Sequence, residues 1–213
     1  MKIPVSHGHL EALLKEPEGA PRGAAVVCHP HPLFGGTMHT KAVYRTAQAL
    51  NEAGLVALRF NFRGVGSSTG SYDEGVGEQD DMRAALGWLA EQYPTVPLVA
   101  GGFSFGSKVG LSVGAEDERV VGLVGLGLPI ERDERYDFGF LAAAGKPTLI
   151  VQGENDEFGS GERIDEVVSE LGPHVSLVRI GGADHFFTER LDELRAAVRD
   201  YFESGPGARL LAP

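Results

Sequence analysis

Val96-Pro97-Leu98-Val99-Ala100-Gly101-Gly102-Phe103-Ser104-Phe105-Gly106-Ser107-Lys108-Val109-Gly110-Leu111 passes from an apolar run, through a cluster of small residues, into a helix-compatible stretch. A short continuous apolar run reads as a strand buried on both faces. Similar runs recur at Ala24–Cys28, Leu55–Phe60, Val120–Leu126, Thr148–Val151 and Val175–Ile180. Between them lie segments suited to helices, about Thr40–Ala53, Glu78–Gln92, Ser104–Ala115, Glu162–Leu171 and Thr188–Glu203. In the second of these, Leu86, Leu89 and Ala90 share one face, with charged residues opposite. Strand and helix alternating in this order predict an α/β fold, a mostly parallel central sheet with helices on both faces. Ile3–Val5 and His9–Leu14 suit a leading hairpin. The length predicts one domain, residues 1–203, followed by a loose tail, 204–213, that opens on Ser204-Gly205-Pro206-Gly207.

Composition narrows the partners. A formal net charge of -11 repels phosphate backbones and anionic lipid heads, so neither nucleic acid nor a membrane surface is expected. One cysteine, Cys28, makes no internal disulfide and no thiolate metal site. The first residues, Met1-Lys2-Ile3-Pro4-Val5-Ser6-His7, lack the apolar core of a secretion signal, and no apolar run is long enough to cross a bilayer. A cytoplasmic protein is expected. The 30 glycines are clustered, as tight turns at strand ends require.

Gly-x-Ser-x-Gly marks a nucleophile elbow, a strand-to-helix turn that holds its serine in strained backbone geometry. With so many glycines the pattern carries little by itself. It occurs around Ser68 (Gly66, Gly70), Ser104 (Gly102, Gly106) and Ser112 (Gly110, Gly114). Ser104 alone lies between a strand and a helix. Ser112 falls inside the helix, where its glycines read as close-packing sites. Ser68 leads into the loop Ser71-Tyr72-Asp73-Glu74-Gly75, and its glycines match neither phosphate-binding fingerprint.

A serine hydroxyl needs a base to take its proton, and an imidazole needs a carboxylate to fix its tautomer. In elbow-bearing folds both follow the serine, the acid first. Two histidines lie downstream. His174 precedes the last strand, and His185 follows it, in Gly181-Gly182-Ala183-Asp184-His185-Phe186-Phe187. His185 is the expected base. After strand Thr148–Val151 come Glu154, Asp156 and Glu157, and Asp156 is the preferred acid, with Glu154 the nearest rival. Asp184 adjoins the histidine and suits a local turn.

A tetrahedral intermediate needs two backbone N–H donors. The residue after the nucleophile, Phe105, supplies one. The other is expected from Cys28-His29-Pro30-His31-Pro32-Leu33-Phe34-Gly35-Gly36-Thr37-Met38-His39, in which the prolines cannot donate. His31, Leu33 and Phe34 remain, with Leu33 favoured. His31 and Phe34 are expected to line the substrate pocket. His29, His31 and His39 raise the alternative of a metal site, but the loop brings no carboxylate to complete one, so no metal is expected.

The loop His29–Met38, the stretch Arg59-Phe60-Asn61-Phe62-Arg63-Gly64-Val65-Gly66-Ser67-Ser68, the elbow, Gly153–Asp156 and Asp184–His185 together resemble a bacterial family of small α/β hydrolases. The resemblance spans nearly the whole chain. It implies a Ser-Asp-His hydrolase of the α/β-hydrolase fold, similar to dienelactone-hydrolase-like and carboxylesterase enzymes, that needs no cofactor. Dienelactone hydrolases proper differ in carrying cysteine at the elbow. In this fold the insertion between the sixth and seventh strands largely sets specificity; here Gly127–Lys146 is too short for a large lid. An uncovered site favours small ester substrates, and serine at the elbow argues against dehalogenase and epoxide-hydrolase chemistry. A thioesterase or peptidase could use the same three residues. A non-catalytic binding module on the same scaffold is the rival of a different class, and degenerate members of that kind lose the serine or the histidine. An exposed edge strand would allow two copies to pair as a homodimer.

Overall fold

All six strands expected from the apolar runs form, and the leading hairpin joins the same sheet. The computed structural model describes residues 1–211. The chain runs β1 (Lys2–Val5), β2 (Gly8–Lys15), β3 (Gly23–Cys28), α1 (Lys41–Glu52), β4 (Leu55–Phe60), α2 (Val76–Gln92), β5 (Leu98–Phe103), α3 (Phe105–Glu116) and β6 (Val120–Leu126). It continues through α4 (Phe140–Ala144), β7 (Thr148–Gly153), α5 (Gly161–Leu171), β8 (Val175–Ile180) and α6 (Leu191–Glu203). The sheet order is β1-β2-β4-β3-β5-β6-β7-β8. β1, β2 and β4 pair antiparallel, and β4 through β8 pair in parallel. β3, β5 and β7 are buried along their whole length, which is why their sequences are apolar almost throughout and do not alternate. Helices α2, α3, α4 and α5 pack on one face, and α1 and α6 on the other.

From β3 the chain steps outward to β4 and then returns across β3 to form β5. Between β3 and β5 the direction of winding therefore reverses. In open parallel sheets the crevice outside the strand C-termini at such a switch point is where ligands bind. The histidine-rich loop leaves β3 there, and Ser104 leaves β5.

Several boundaries differ from the sequence reading. β5 runs on through Gly101 and Gly102, which pair in register with β6, and the bare Gly101 lies where a side chain would collide with the Val124 carbonyl. α2 begins at Val76, two residues early, because the buried Glu78 carboxylate accepts the Asp73 and Gly75 N–H groups at 3.0 and 2.8 Å and caps the helix. α6 begins only at Leu191, since Phe187 and Glu189 take positive φ values of 55° and 59° that no helix tolerates. Between β6 and β7 lie only a short turn, Glu134–Tyr136, and α4, anchored by the buried Tyr136, Phe138 and Leu141. The tail is not loose as far as it is described. Residues 206–210 wind as a 3₁₀ turn, Gly207 is buried against Tyr201 and Phe202, and Leu211 joins the core under α1 and α6. Positions 212 and 213 lie outside the described residues.

Gly110 and Gly114 let α3 lie directly on the sheet: a Cβ at Gly110 would stand 2.5 Å from the Gly101 carbonyl. Gly87, inside α2, has open space around it. Gly110→Val is expected to destabilise the protein by about 2–3 kcal/mol, and Gly87→Ala to stabilise it by about 0.5–1 kcal/mol. Urea denaturation of the two variants checks both signs.

Candidate active site

Ser104 links β5 to α3 with φ 56° and ψ -121°, a backbone conformation that costs a non-glycine residue on the order of 1–3 kcal/mol. The surrounding glycines make the turn sterically feasible. A side chain at Gly102 would run into the Gly106 carbonyl, and one at Gly106 into the carbonyl of His29. Ser104 N–H donates to Leu126 O at 2.9 Å, fixing the turn to the end of β6. The hydroxyl consequently stands at the sheet's C-terminal edge, and the residue is 8% exposed.

His185 Nε2 lies 2.9 Å from Ser104 Oγ, and His185 Nδ1 lies 2.9 Å from both carboxylate oxygens of Asp156. With Nδ1–H given to the carboxylate, the Nε2 lone pair accepts the serine proton. Phe103, Phe158 and Phe186 surround the imidazole, their ring centroids 4.8 to 5.2 Å away. Gly127 permits the approach from behind, where a Cβ would come within 3.3 Å of the imidazole. Asp156 follows β7. Its Oδ2 accepts from Gln152 Nε2 at 2.8 Å and its Oδ1 from Phe158 N–H at 2.9 Å. Gln152 is buried and also accepts Leu128 N–H at 2.8 Å, so it joins the acid to the end of β6. The sequence reading passed over Gln152, although a polar residue closing an apolar strand was a usable signal.

The other candidates are occupied elsewhere. Ser68 Oγ donates to Asn61 O at 2.7 Å and accepts Glu11 N–H at 2.8 Å, stitching its loop to β2. Glu154 accepts Gly182 N–H, Asp184 accepts Thr188 N–H in a local turn, and Glu157 accepts the His185 N–H at 3.4 Å. His174 Nε2 contacts Leu141 O, at the opposite end of the sheet.

A cavity of about 380 Å³ opens onto Ser104 and His185. His31 and Phe34, expected at the substrate pocket, both line it, joined by Arg132, Phe158 and Phe186. Leu33 does not. It is 67% exposed, and its N–H donates to His31 Nδ1 at 3.2 Å, so it is not available as an oxyanion donor. Phe34 N–H is likewise committed, to His31 O at 3.1 Å. Of the three candidates, the His31 N–H alone has no partner among the described residues. Phe105, the first residue of α3, presents the orphan N–H that every helix start leaves open.

The loop histidines serve hydrogen bonds. His29 Nδ1–H donates to Pro30 O at 2.6 Å, while Nε2 accepts Phe62 N–H at 3.0 Å, so neither nitrogen is left for a metal ion. His31 Nδ1 accepts from Leu33, leaving Nε2–H for the Tyr72 hydroxyl at 3.1 Å. Burial, then the Arg132 and Arg135 cations, holds the His31 imidazole below its ordinary range. His39 is exposed, outside the lining of the cavity. Cys28 is buried beside Met82, its Sγ 3.4 Å from the thioether sulfur.

Residues 25–197 match the model of a family described as an alpha/beta hydrolase domain. The chain belongs to the α/β-hydrolase family. The hydrolase is 39% identical to an alpha-beta serine hydrolase homologue from Coxiella burnetii, with a TM-score of 0.84 over 93% of this chain and 94% of that one. It is 34% identical to XC6422 from Xanthomonas campestris, described as a serine hydrolase without lid, with a TM-score of 0.87 over 100% and 94% of the two chains. It is also 38% identical to the uncharacterized protein RP471 of Rickettsia prowazekii, over 83% of the hydrolase and 77% of that protein. No helix among the hydrolase's described residues is long and apolar enough to cross a membrane.

Burial presses the His29 pKa down from 6.5 to about 4. The folded state therefore favours the neutral ring. Stability from this site is complete above the ordinary histidine range and is lost as pH falls toward 4, by about 3 kcal/mol in all. In His29→Gln the dependence of urea stability on pH across that window should flatten. Equal slopes in wild type and variant would remove His29 as the cause.

Proposed function

We propose that the chain is a carboxylesterase-like serine hydrolase that cleaves small carboxylic esters through an acyl-enzyme intermediate. The observation that carries the reading is the unbroken hydrogen-bonded row Asp156–His185–Ser104, which ends in a mostly apolar cavity. Ser104 Oγ attacks the ester carbonyl as His185 Nε2 takes its proton. Asp156 stabilises the imidazolium formed and keeps the ring in the reactive tautomer. The developing oxyanion is received by the N–H groups of Phe105 and His31, the latter in place of the expected Leu33. The imidazolium then protonates the leaving alcohol. Water, activated by the same ring, releases the acid and restores the serine. No cofactor enters this scheme.

The substrate class follows from the rim. The β6–β7 connection carries no large lid, and the cavity of about 380 Å³ is edged by the exposed rings of Phe34 and Phe186. Such a site suits a short, partly apolar ester taken from water. A cytoplasmic setting belongs to the same proposal, and the single unpaired thiol, buried Cys28, is compatible with it.

A fluorophosphonate should label the folded protein on Ser104, with the adduct located by peptide mass spectrometry. Ser104→Ala or His185→Ala is expected to lower kcat/KM for a short-chain ester by a factor on the order of 10⁴ or more. A well-folded protein that neither labels nor hydrolyses esters would leave the non-catalytic binding module as the better account.

A further inference from the structure

Arg132 has an uncommon position for an arginine in so acidic a chain. Its neighbours in sequence are Glu131, Asp133 and Glu134, yet two of these are committed elsewhere. The Glu131 carboxylate accepts Ser160 N–H at 2.5 Å, and Asp133 takes the guanidinium of Arg135 at 3.0 Å through each oxygen. No carboxylate among the described residues lies within ion-pair distance of Arg132. Instead its guanidinium carbon stands 5.0 Å over the Phe34 ring and 5.4 Å over that of Phe158, bracketed by two aromatics on the wall of the cavity that holds Ser104 and His185. Cation–π contact of this kind fixes a guanidinium without using its N–H donors. Five donors are thus held on the wall of the cavity that holds Ser104, with no hydrogen-bond acceptor among the described residues.

We propose that Arg132 is a substrate-binding residue that selects esters carrying a free carboxylate, paired with the guanidinium while Ser104 attacks the ester carbonyl. The proposal rests on the esterase reading above and adds a charge requirement to it. Glu157 lines the same cavity with its carboxylate drawn to the His185 N–H. It repels a substrate anion from the base and leaves Arg132 as the group that can receive one. The net charge of -11 opposes anionic ligands at long range, so the selectivity must come from this local contact.

Two pairs of near-isosteric esters test it by pH-stat. Monomethyl glutarate against methyl pentanoate places the carboxylate on the acyl side. The γ-acetoxybutyrate anion against butyl acetate places it on the alcohol side. In at least one pair the wild-type kcat/KM ratio, anionic over neutral, should exceed about tenfold, as charge-assisted hydrogen bonds allow. Raising the ionic strength should lower that ratio. Arg132→Met should collapse it to one or below, and Arg132→Lys should retain part of it, since the charge remains while the planar fork is lost. Ratios at or below one in both pairs, from enzyme that a fluorophosphonate labels on Ser104, would overturn the role of Arg132 and leave the esterase reading standing. Failure of Ser104 to label would overturn the esterase reading itself, and this proposal with it.

Discussion

The left-handed backbone of Ser104 is unfavourable by itself and persists only because its surroundings dictate it. Those surroundings reach through the centre of the sheet. β5 must end against β6 for Ser104 N–H to find Leu126 O. Gly106 must lie under the His29 carbonyl, so the loop leaving β3 is packed onto the first turn of α3. Gly110 and Gly114 must be bare for that helix to descend onto β5 at all. A disturbance of any of these close approaches moves the hydroxyl relative to the imidazole delivered by the loop after β8. Part of the unusual glycine content is explained by this crowding, and another part by turns in which glycine takes a positive φ.

Convergence of the remaining groups follows from the parallel sheet. β3, β5, β7 and β8 all end on one edge, and each delivers one part of the site: the His31 loop, Ser104, Asp156 and His185. Side chains far apart in sequence meet because strand C-termini are neighbours. The loops are then locked to one another. At Gly153 the chain passes so close to the backbone of residues 183 and 184 that a Cβ would lie 2.6 Å from the Ala183 carbonyl. Gln152 joins the acid to the end of β6 by the same logic, with hydrogen bonds in place of contact.

Ser104, Asp156 and His185 could be proposed from the sequence because each lies at or within a few residues of the end of a strand that the sequence marks, and in this sheet position along a strand sets position in space. The second oxyanion donor could not. Which N–H remains free in the loop after β3 depends on the tautomer of His31 and on a 3₁₀ turn over Pro32–Phe34, and neither leaves a mark in residue type. The place of Arg132 on the cavity wall was hidden by its company, since Glu131-Arg132-Asp133-Glu134-Arg135 reads as a solvated charge run until the pairing of each member is known. The tail misled for a related reason. Gly205, Pro206 and Gly207 signal an irregular backbone, but Gly207 is bare so that the chain can press against Tyr201 and Phe202.

The connection from β6 to β7 leaves and rejoins the sheet at adjacent strands, and buried side chains, Tyr136, Phe138 and Leu141 among them, hold it in place. Most of its other residues face water, and none belongs to the Asp156–His185–Ser104 row. The first residues of the segment touch the support of the site, Gly127 behind the imidazole and Leu128 on Gln152. Exchanges at the exposed positions 131–135 therefore change the charge at the mouth of the cavity while the bonds that align Ser104, His185 and Asp156 stay in place.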